Sequence, residues 1–369
     1  MRVAQARILS ERALTVALLA RQLLLARASL PVAQAVQQLA ALQAQYSPSP
    51  YIALHARLAG FQHGDLEAAL RDRTVVKATL MRGTLHLVAA SDYGAFAGAW
   101  HRQSRATMRG RTPAATPQEE AILTALAAFT AEARSTDQLR ARVRELTAGA
   151  IPDPLLLDYA RIMLPLIHVP PSGFWRHHGK PAMLAWPEPL PEDPAATALL
   201  VRRYLAAFGP ATREDIAHFT YLRYRQIDPA LAALTPLRHF TDAQGRDLLD
   251  LADMPLPDED QPLPVRFLAR WDAAIISHKD RTRILPAAYQ ARLTPTPNGM
   301  ILSSYLVDGK VAGIWSHDQQ GETATLTLQP FGPQEESSST ALEEEGDRLL
   351  AFLAPTAEKR QIVFAPIAN

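Results

Sequence analysis

The stretch LQAQYSPSPYIALHARL, from Leu42 to Leu58, carries two side-chain amides, Gln43 and Gln45, one residue apart. An amide can hold a water molecule through its carbonyl oxygen and donate through its NH2 group, and it does so without titrating. Buried without partners, such a group costs roughly 1–3 kcal/mol. These two therefore either tie down the fold or face a ligand. Val32, Val36 and Leu39 step by four and three, a helical spacing that starts just after Ser29, a candidate N-cap, and Pro31. A regular continuation of that helix puts Gln43 on its apolar stripe and Gln45 about 200° further round. For both amides to serve one target, the helix must end or distort near Ala44, and Pro48 and Pro50 supply a break there. Read from the residues alone, the glutamines tie down a helix end, where the last carbonyls lack intrahelical donors.

Other chemistry is thinly represented. The chain has no cysteine, which excludes disulfides, thiolate metal sites and cysteine nucleophiles. Its eleven histidines show no metal-ligand spacing, and the pair His177-His178 is adjacent rather than one helical turn apart. No GxGxxG, GxxxxGK[ST] or GxSxG pattern occurs. Acids are few near the glutamines: Asp65 has the look of a helix cap and Asp92 of a turn residue, and neither is assigned a catalytic role. The net charge of +1 hides an asymmetry: residues 1–113 carry 14 Lys+Arg against 5 Asp+Glu, while each later segment is net negative. Only the first segment attracts a polyanion on this basis. Its densest part is WHRQSRATMRGRT, with Arg102, Arg105, Arg109 and Arg111, read as phosphate contacts or as a solvated helix face.

The elements that must position these groups follow from patterning. At 369 residues with 48% hydrophobic content, the chain suits two to four small domains. No run of about 18 uncharged apolar residues is present, so no transmembrane helix is expected, and ERALTVALLARQLLLARA reads as an amphipathic helix rather than a signal peptide. A cytoplasmic location is the expectation. Helices followed by TVVKATLMRGTLHLV, a hairpin around Arg82-Gly83, make a winged helix–turn–helix over 1–113. The pattern recurs. A Ser135-x-x-Gln138 capping box opens a helix in 114–193, and Thr212-x-x-Asp215 opens one in 194–263, each followed by hairpin-like residues. MPLPDEDQPLP is a linker into a β-rich unit over 264–369, with a hairpin turn at Asp308-Gly309. The expected fold class is α+β: three tandem winged helix–turn–helix domains, then a C-terminal β-barrel-like domain.

LAALQAQYSPSPYIALHARL, TLMRGTLHLV, WDAAIISHKDRTRIL and YLVDGKVAGIW resemble, in this order along the chain, the winged-helix DNA glycosylases of the AlkZ type. That family carries Gln–aliphatic–Gln in its first winged helix, matched here by Gln43-Ala44-Gln45; a sister branch carries Gln-x-Asp. The resemblance implies winged helices and a barrel on a curved DNA-binding surface, with Gln43 and Gln45 catalytic. It implies a monofunctional DNA glycosylase that excises N7-alkylated purines, bulky adducts or interstrand crosslinks among them. No cofactor and no metal are expected, and the role is general alkylation repair or self-resistance to a genotoxic natural product. A purine alkylated at N7 is already cationic and leaves as a neutral base, so no general acid is needed. Two amides that orient a water would suffice. The partner is then double-stranded DNA containing alkylated purines, met by a monomer at the nucleoid. Arg82 and His86 in the hairpin, and Lys279, Arg281 and Arg283 in SHKDRTR, join the α-helical arginines as candidate DNA contacts. Two rival readings are a non-catalytic winged-helix transcription regulator and an RNA-binding or architectural protein. Base release from methylated DNA discriminates both from an enzyme.

Overall fold

The computed structural model describes residues 7–177, 179–191, 194–296 and 299–367; His178, and Asp193 at the expected second boundary, lie outside the described residues. The chain is α+β. It opens with β1 (Arg7–Leu9), α1 (Glu11–Arg21), α2 (Val32–Gln38), β2 (Leu42–Gln43), α3 (Pro48–Arg57), α4 (His63–Arg71), β3 (Val75–Thr79), β4 (Leu85–Ala89) and α5 (Ala90–Arg111). Next come α6 (Glu119–Phe129), β5 (Arg134–Ser135), α7 (Thr136–Leu146), α8 (Leu156–Met163), β6 (Leu166–Val169) and β7 (Ala182–Ala185). A third group holds α9 (Ala195–Phe208), α10 (Arg213–Thr220), α11 (Tyr224–Ala233), β8 (Leu237–Asp242) and β9 (Asp247–Leu251). The last holds β10 (Arg266–Leu268), α12 (Ala273–Ile276), α13 (Gln290–Leu293), β11 (Ser304–Val307), β12 (Lys310–Gln320), β13 (Thr323–Pro330), α14 (Glu336–Leu353) and β14 (Lys359–Phe364).

Local chemistry explains many of these boundaries. Both capping boxes close. Ser135 N–H donates to Gln138 Oε1 at 2.8 Å and Gln138 N–H to Ser135 Oγ at 3.2 Å. Thr212 N–H donates to Asp215 Oδ2 at 2.9 Å and Asp215 N–H to Thr212 Oγ1 at 3.0 Å. These bonds satisfy donors that a helix start leaves orphaned. Asp65 serves α4 the same way, accepting from Gln62 N–H at 2.8 Å. Asp308 and Gly309 turn β11 into β12 with φ of 44° and 74°, the doubly left-handed backbone that a two-residue hairpin loop demands.

The helix that begins after Pro31 does not run on toward the glutamines. α2 ends at Gln38, Ala40 turns left-handed with φ 64°, and the chain enters β2. Helix propensity in QAVQQLAALQAQ loses here to a sheet edge that buries Leu42 and Ala44.

Tertiary pairing also joins segments that patterning kept separate. One sheet runs β2-β4-β3-β6-β7-β5, so the hairpins of the first two segments share it through Lys77 opposite His168 and Ala78 opposite Ile167. β1 adds in parallel to β8, giving β1-β8-β9. The C-terminal strands run β10-β11-β12-β13-β14 as an open sheet, not a closed barrel, with α14 packed against β10, β13 and β14. Closure would require β10 to meet β14, and α14 together with the parallel crossover to β14 leaves them as opposite edges. One core cluster unites α2–α4 with this sheet, through Val36, Leu42 and Tyr51 against Phe267, Trp315 and Leu350. Two buried ion pairs pin the assembly. Arg57 grips Asp272 at 2.7 and 2.9 Å, and Arg21 grips Asp250 at 2.7 and 2.9 Å.

Candidate active site

β2 is an edge strand two residues long, with Leu42 opposite Leu87 and Gln43 opposite His86. The pairing carries one step further, since Ala44 N–H donates to the Leu85 carbonyl at 2.7 Å. Gln45 lies in the bend just beyond β2 and its side chain turns back to β4, so both amides sit beside that strand, Gln43 opposite His86 and Gln45 on Leu85 N–H. A helix would have set them about 200° apart. The sequence reading of a helix end tied down by two amides is therefore replaced: there is no helix end at these residues. The two amides also differ in their surroundings. Gln45 is exposed, and its Oε1 accepts from Leu85 N–H at 3.4 Å, a long bond that anchors the side chain beside β4. Gln43 Oε1 is buried and has no hydrogen-bond partner among the described residues.

His86 lies directly across from Gln43 and is buried. Its Nδ1–H donates to the Thr84 carbonyl at 3.0 Å. Burial pushes its pKa down to about 3, and the Arg82 guanidinium adds to the effect. The ring is neutral at physiological pH, so it offers packing and a fixed tautomer rather than charge. It supports the glutamine strand from within instead of reaching a groove. Arg82 sits in the turn between β3 and β4 with a left-handed backbone, φ 58°. Its Nη1–H donates to the Phe219 carbonyl at 3.5 Å, and the guanidinium lies 5.6 Å from the Phe219 ring centroid.

Arg82 and the SHKDRTR cluster, far apart in sequence, come together. Burial first, and then the charge of Arg281, lower the Arg82 pKa to about 10. His218 of α10 is also lowered, by burial first and then by Arg82 and Arg281. Arg281 is half-buried. Lys279 is exposed and paired with Glu214, a bond that raises its pKa. Arg283 is different: it is buried, donates from Nη1 to the Pro210 carbonyl at 3.0 Å, and braces the chain from inside. Arg270 lies over the ring of Tyr46, 5.0 Å from its centroid, right beside Gln45 in sequence. Sequence reasoning missed Arg270, Tyr46 and His218. The only signal for Arg270 was its position one residue ahead of the WDAAIISHKDRTRIL block.

The arginines of α5 form a separate group. Arg109 is spent on Glu119, with Nε at 2.9 Å from Oε2 and Nη2 at 2.6 Å from Oε1. Arg105 is half-buried and its pKa is lowered by that burial and by Arg109, whereas Arg102 and Arg111 are exposed. Asp92, at the start of the same helix, is buried under a two-point contact from Arg203 at 2.7 and 3.0 Å. Arg82 in the β3–β4 turn and Arg270 over Tyr46 place cations around the glutamine strand, and of the first-segment acids Asp65 caps α4, Glu67 pairs with Arg71 and Asp92 is held by Arg203. Such a site can bind a polyanion and orient a neutral nucleophile.

Comparison with known proteins places the chain in a family. The family model "DNA glycosylase AlkZ-like" matches residues 36–352, a span that includes both glutamines and the Arg281 cluster. An interstrand DNA cross-link repair glycosylase of Streptomyces sahachiroi is 23% identical over 353 residues, covering 88% of this chain and 91% of that protein. The solved structure of the DNA glycosylase AlkZ from Streptomyces sahachiroi superposes with a TM-score of 0.77 at 19% identity, over 98% of this chain and 100% of that one, a likeness of fold. The chain belongs to the AlkZ-like family and is a DNA glycosylase.

Proposed function

We propose that the protein hydrolyses the N-glycosidic bond of purines alkylated at N7 in double-stranded DNA, bulky adducts and interstrand crosslinks among them. The observation that carries this reading is Gln43 Oε1, a buried acceptor with no protein donor among the described residues, beside the same strand, β4, as Gln45. Gln43 accepts a hydrogen bond from the attacking water, and Gln45, anchored by Leu85 N–H, fixes the other side of the pair. The water oxygen bonds to C1′ and the C1′–N9 bond breaks. Its electron pair neutralises the cationic purine, and the surplus proton passes to solvent. No group has to protonate the leaving base, so the neutral site acts on lesions that are already activated and leaves normal bases alone. Its amides supply orientation and electrostatic stabilisation of the developing sugar cation.

Crosslinks are included for two reasons. The Streptomyces sahachiroi relative is a cross-link repair glycosylase by name. In addition, Gln45 is exposed and Tyr46 is 37% exposed, which suits an open groove that accepts a base tied to both strands. Arg82, Arg281 and Lys279 provide phosphate contacts, with Arg102, Arg105, Arg109 and Arg111 along α5. Each of the first three helix-and-hairpin segments acts as a winged helix, and the protein works as a monomer in alkylation repair or in self-resistance. Among the described residues no helix is long and apolar enough to cross a membrane. The test is release of free N7-methylguanine from a methylated duplex, with conversion of a crosslinked duplex to separable strands measured in parallel. Sequence-selective binding with no base release would favour a regulator and sink the proposal.

A further inference from the structure

The turn between α10 and α11 breaks two rules at once. Tyr221 closes α10 in the left-handed region, φ 62°, a position that favours glycine or asparagine. Its side chain is nevertheless large, and the residue is 59% exposed. The backbone around it is held firmly. Tyr221 N–H donates to the Ala217 carbonyl at 2.9 Å, and the neighbouring Leu222 is buried with its N–H on Thr220 Oγ1 at 3.3 Å. The core therefore pins Leu222 and thrusts Tyr221 outward. A bulky residue kept in such a conformation points to a role outside the core.

The residues that follow add charge. Arg223, Tyr224 and Arg225 are all exposed. Arg213 stacks over Tyr224 at 3.8 Å from its centroid while bonding Asp228 at 2.6 Å. Arg223 and Arg225 face Arg102 and Arg109 of α5 across an open cleft of about 680 Å3, whose described lining is otherwise Gln103, Ala106, Pro194, Gln226 and Pro229. This turn lies in a segment, residues 197–265, whose 7 Lys+Arg against 10 Asp+Glu argued against a polyanion partner. Arg202, Arg203, Arg213, Arg238 and Arg246 of that segment are engaged with aspartates, whereas Arg223 and Arg225 line the cleft. The turn is also continuous with the glutamine site: Phe219, two residues before Tyr221, holds Arg82, and the hairpin carrying Arg82 presents Leu85 to Gln45.

We propose that Tyr221 to Arg225 is a second DNA-contacting element, with the Tyr221 ring stacked on a base beside the lesion and Arg223 and Arg225 on phosphates. Aromatic stacking tolerates any base, because every base has a π-face, and guanidiniums track the backbone. The inference rests on the DNA glycosylase reading for its ligand but not on which lesion is excised. The test is therefore binding of an undamaged duplex, by fluorescence anisotropy across a range of salt concentrations, with base release measured separately. Tyr221→Ala should weaken binding about tenfold, with an unchanged salt slope, and Tyr221→Phe should bind like the parent. Arg223→Ala combined with Arg225→Ala should lower the log–log salt slope by about 2. If the parent releases no base but Tyr221→Ala still binds weakly, the contact stands and the lesion assignment falls. Parent-like affinity of a folded Tyr221→Ala overturns the contact, whatever excision does. If Tyr221→Ala fails to fold, ultraviolet crosslinking of the parent to a duplex carrying 5-iododeoxyuridine decides. An adduct on the peptide containing Tyr221 supports the proposal, and adducts found only elsewhere refute it.

Discussion

Gln43→Leu separates a structural from a catalytic glutamine by the sign of its effect on stability. A glutamine that ties down the fold would have a partner, and its loss would cost about 1 kcal/mol. Gln43 Oε1 has none among the described residues, and it is buried. An unpaired buried acceptor carries a desolvation penalty of roughly 1–3 kcal/mol, which an apolar side chain of similar length removes. Gln43→Leu should therefore be as stable as the parent or more so, by up to that amount. Gln45→Ala should go the other way, by less than about 1 kcal/mol, because it gives up one long bond at an exposed site. Excision should fall tenfold or more in each, a barrier increase of at least about 1.4 kcal/mol. The double variant should fall by less than the product, because both amides serve one water. Urea denaturation followed by tryptophan emission gives the stabilities. Single-turnover release of N7-methylguanine, well below the melting range, gives the rates. A Gln43→Leu protein that is destabilised by 1 kcal/mol or more yet excises at the parent rate would refute the assignment.

Four further outcomes are expected. Asp272→Ala strands the buried Arg57 guanidinium and should cost about 3–5 kcal/mol in denaturant titrations, far more than any surface pair. Burial lowers His86, His168 and His278 to about 3 and His101 to about 4, below the roughly 6.5 of the unfolded chain. The unfolded state thus takes up protons that the native state refuses, so stability is full above about pH 6.5 and drains away as pH falls toward 4; urea midpoints at several pH values should show that direction. Excision between about pH 6.5 and 8.5 should show no inflection, since the amides do not titrate and His86 is already neutral there. Arg82→Ala with Arg281→Ala should lower the log–log salt slope of DNA binding by about 2, whereas Arg109→Ala, already engaged with Glu119, should lower it less.

Much of this protein is determined by short-range chemistry and was therefore legible in the chain. The Ser135 and Thr212 boxes, the Asp308-Gly309 turn and the hairpin around Arg82-Gly83 each depend on a few neighbouring residues, and each forms as the local pattern requires. Gln43 and Gln45 stood out for the same reason: two amides one residue apart, the first where a hydrophobe belongs. Their geometry could not be read there. QAVQQLAALQAQ is helical by propensity, and only β4, more than forty residues on, offers the ladder that draws Leu42 and Gln43 into a strand and brings both amides beside it. The charge map failed likewise. Segment totals hide the clustering of Arg102, Arg109, Arg223 and Arg225, and they count Arg283, which is buried, as if it met solvent. The open C-terminal sheet, the hairpins shared between segments and the pairing of Arg82 with Arg281 belong to the same class. Capping and turns are settled within a few residues by backbone hydrogen bonding, while strand edges and the sharing of charge are settled by whichever distant segment arrives to pair with them.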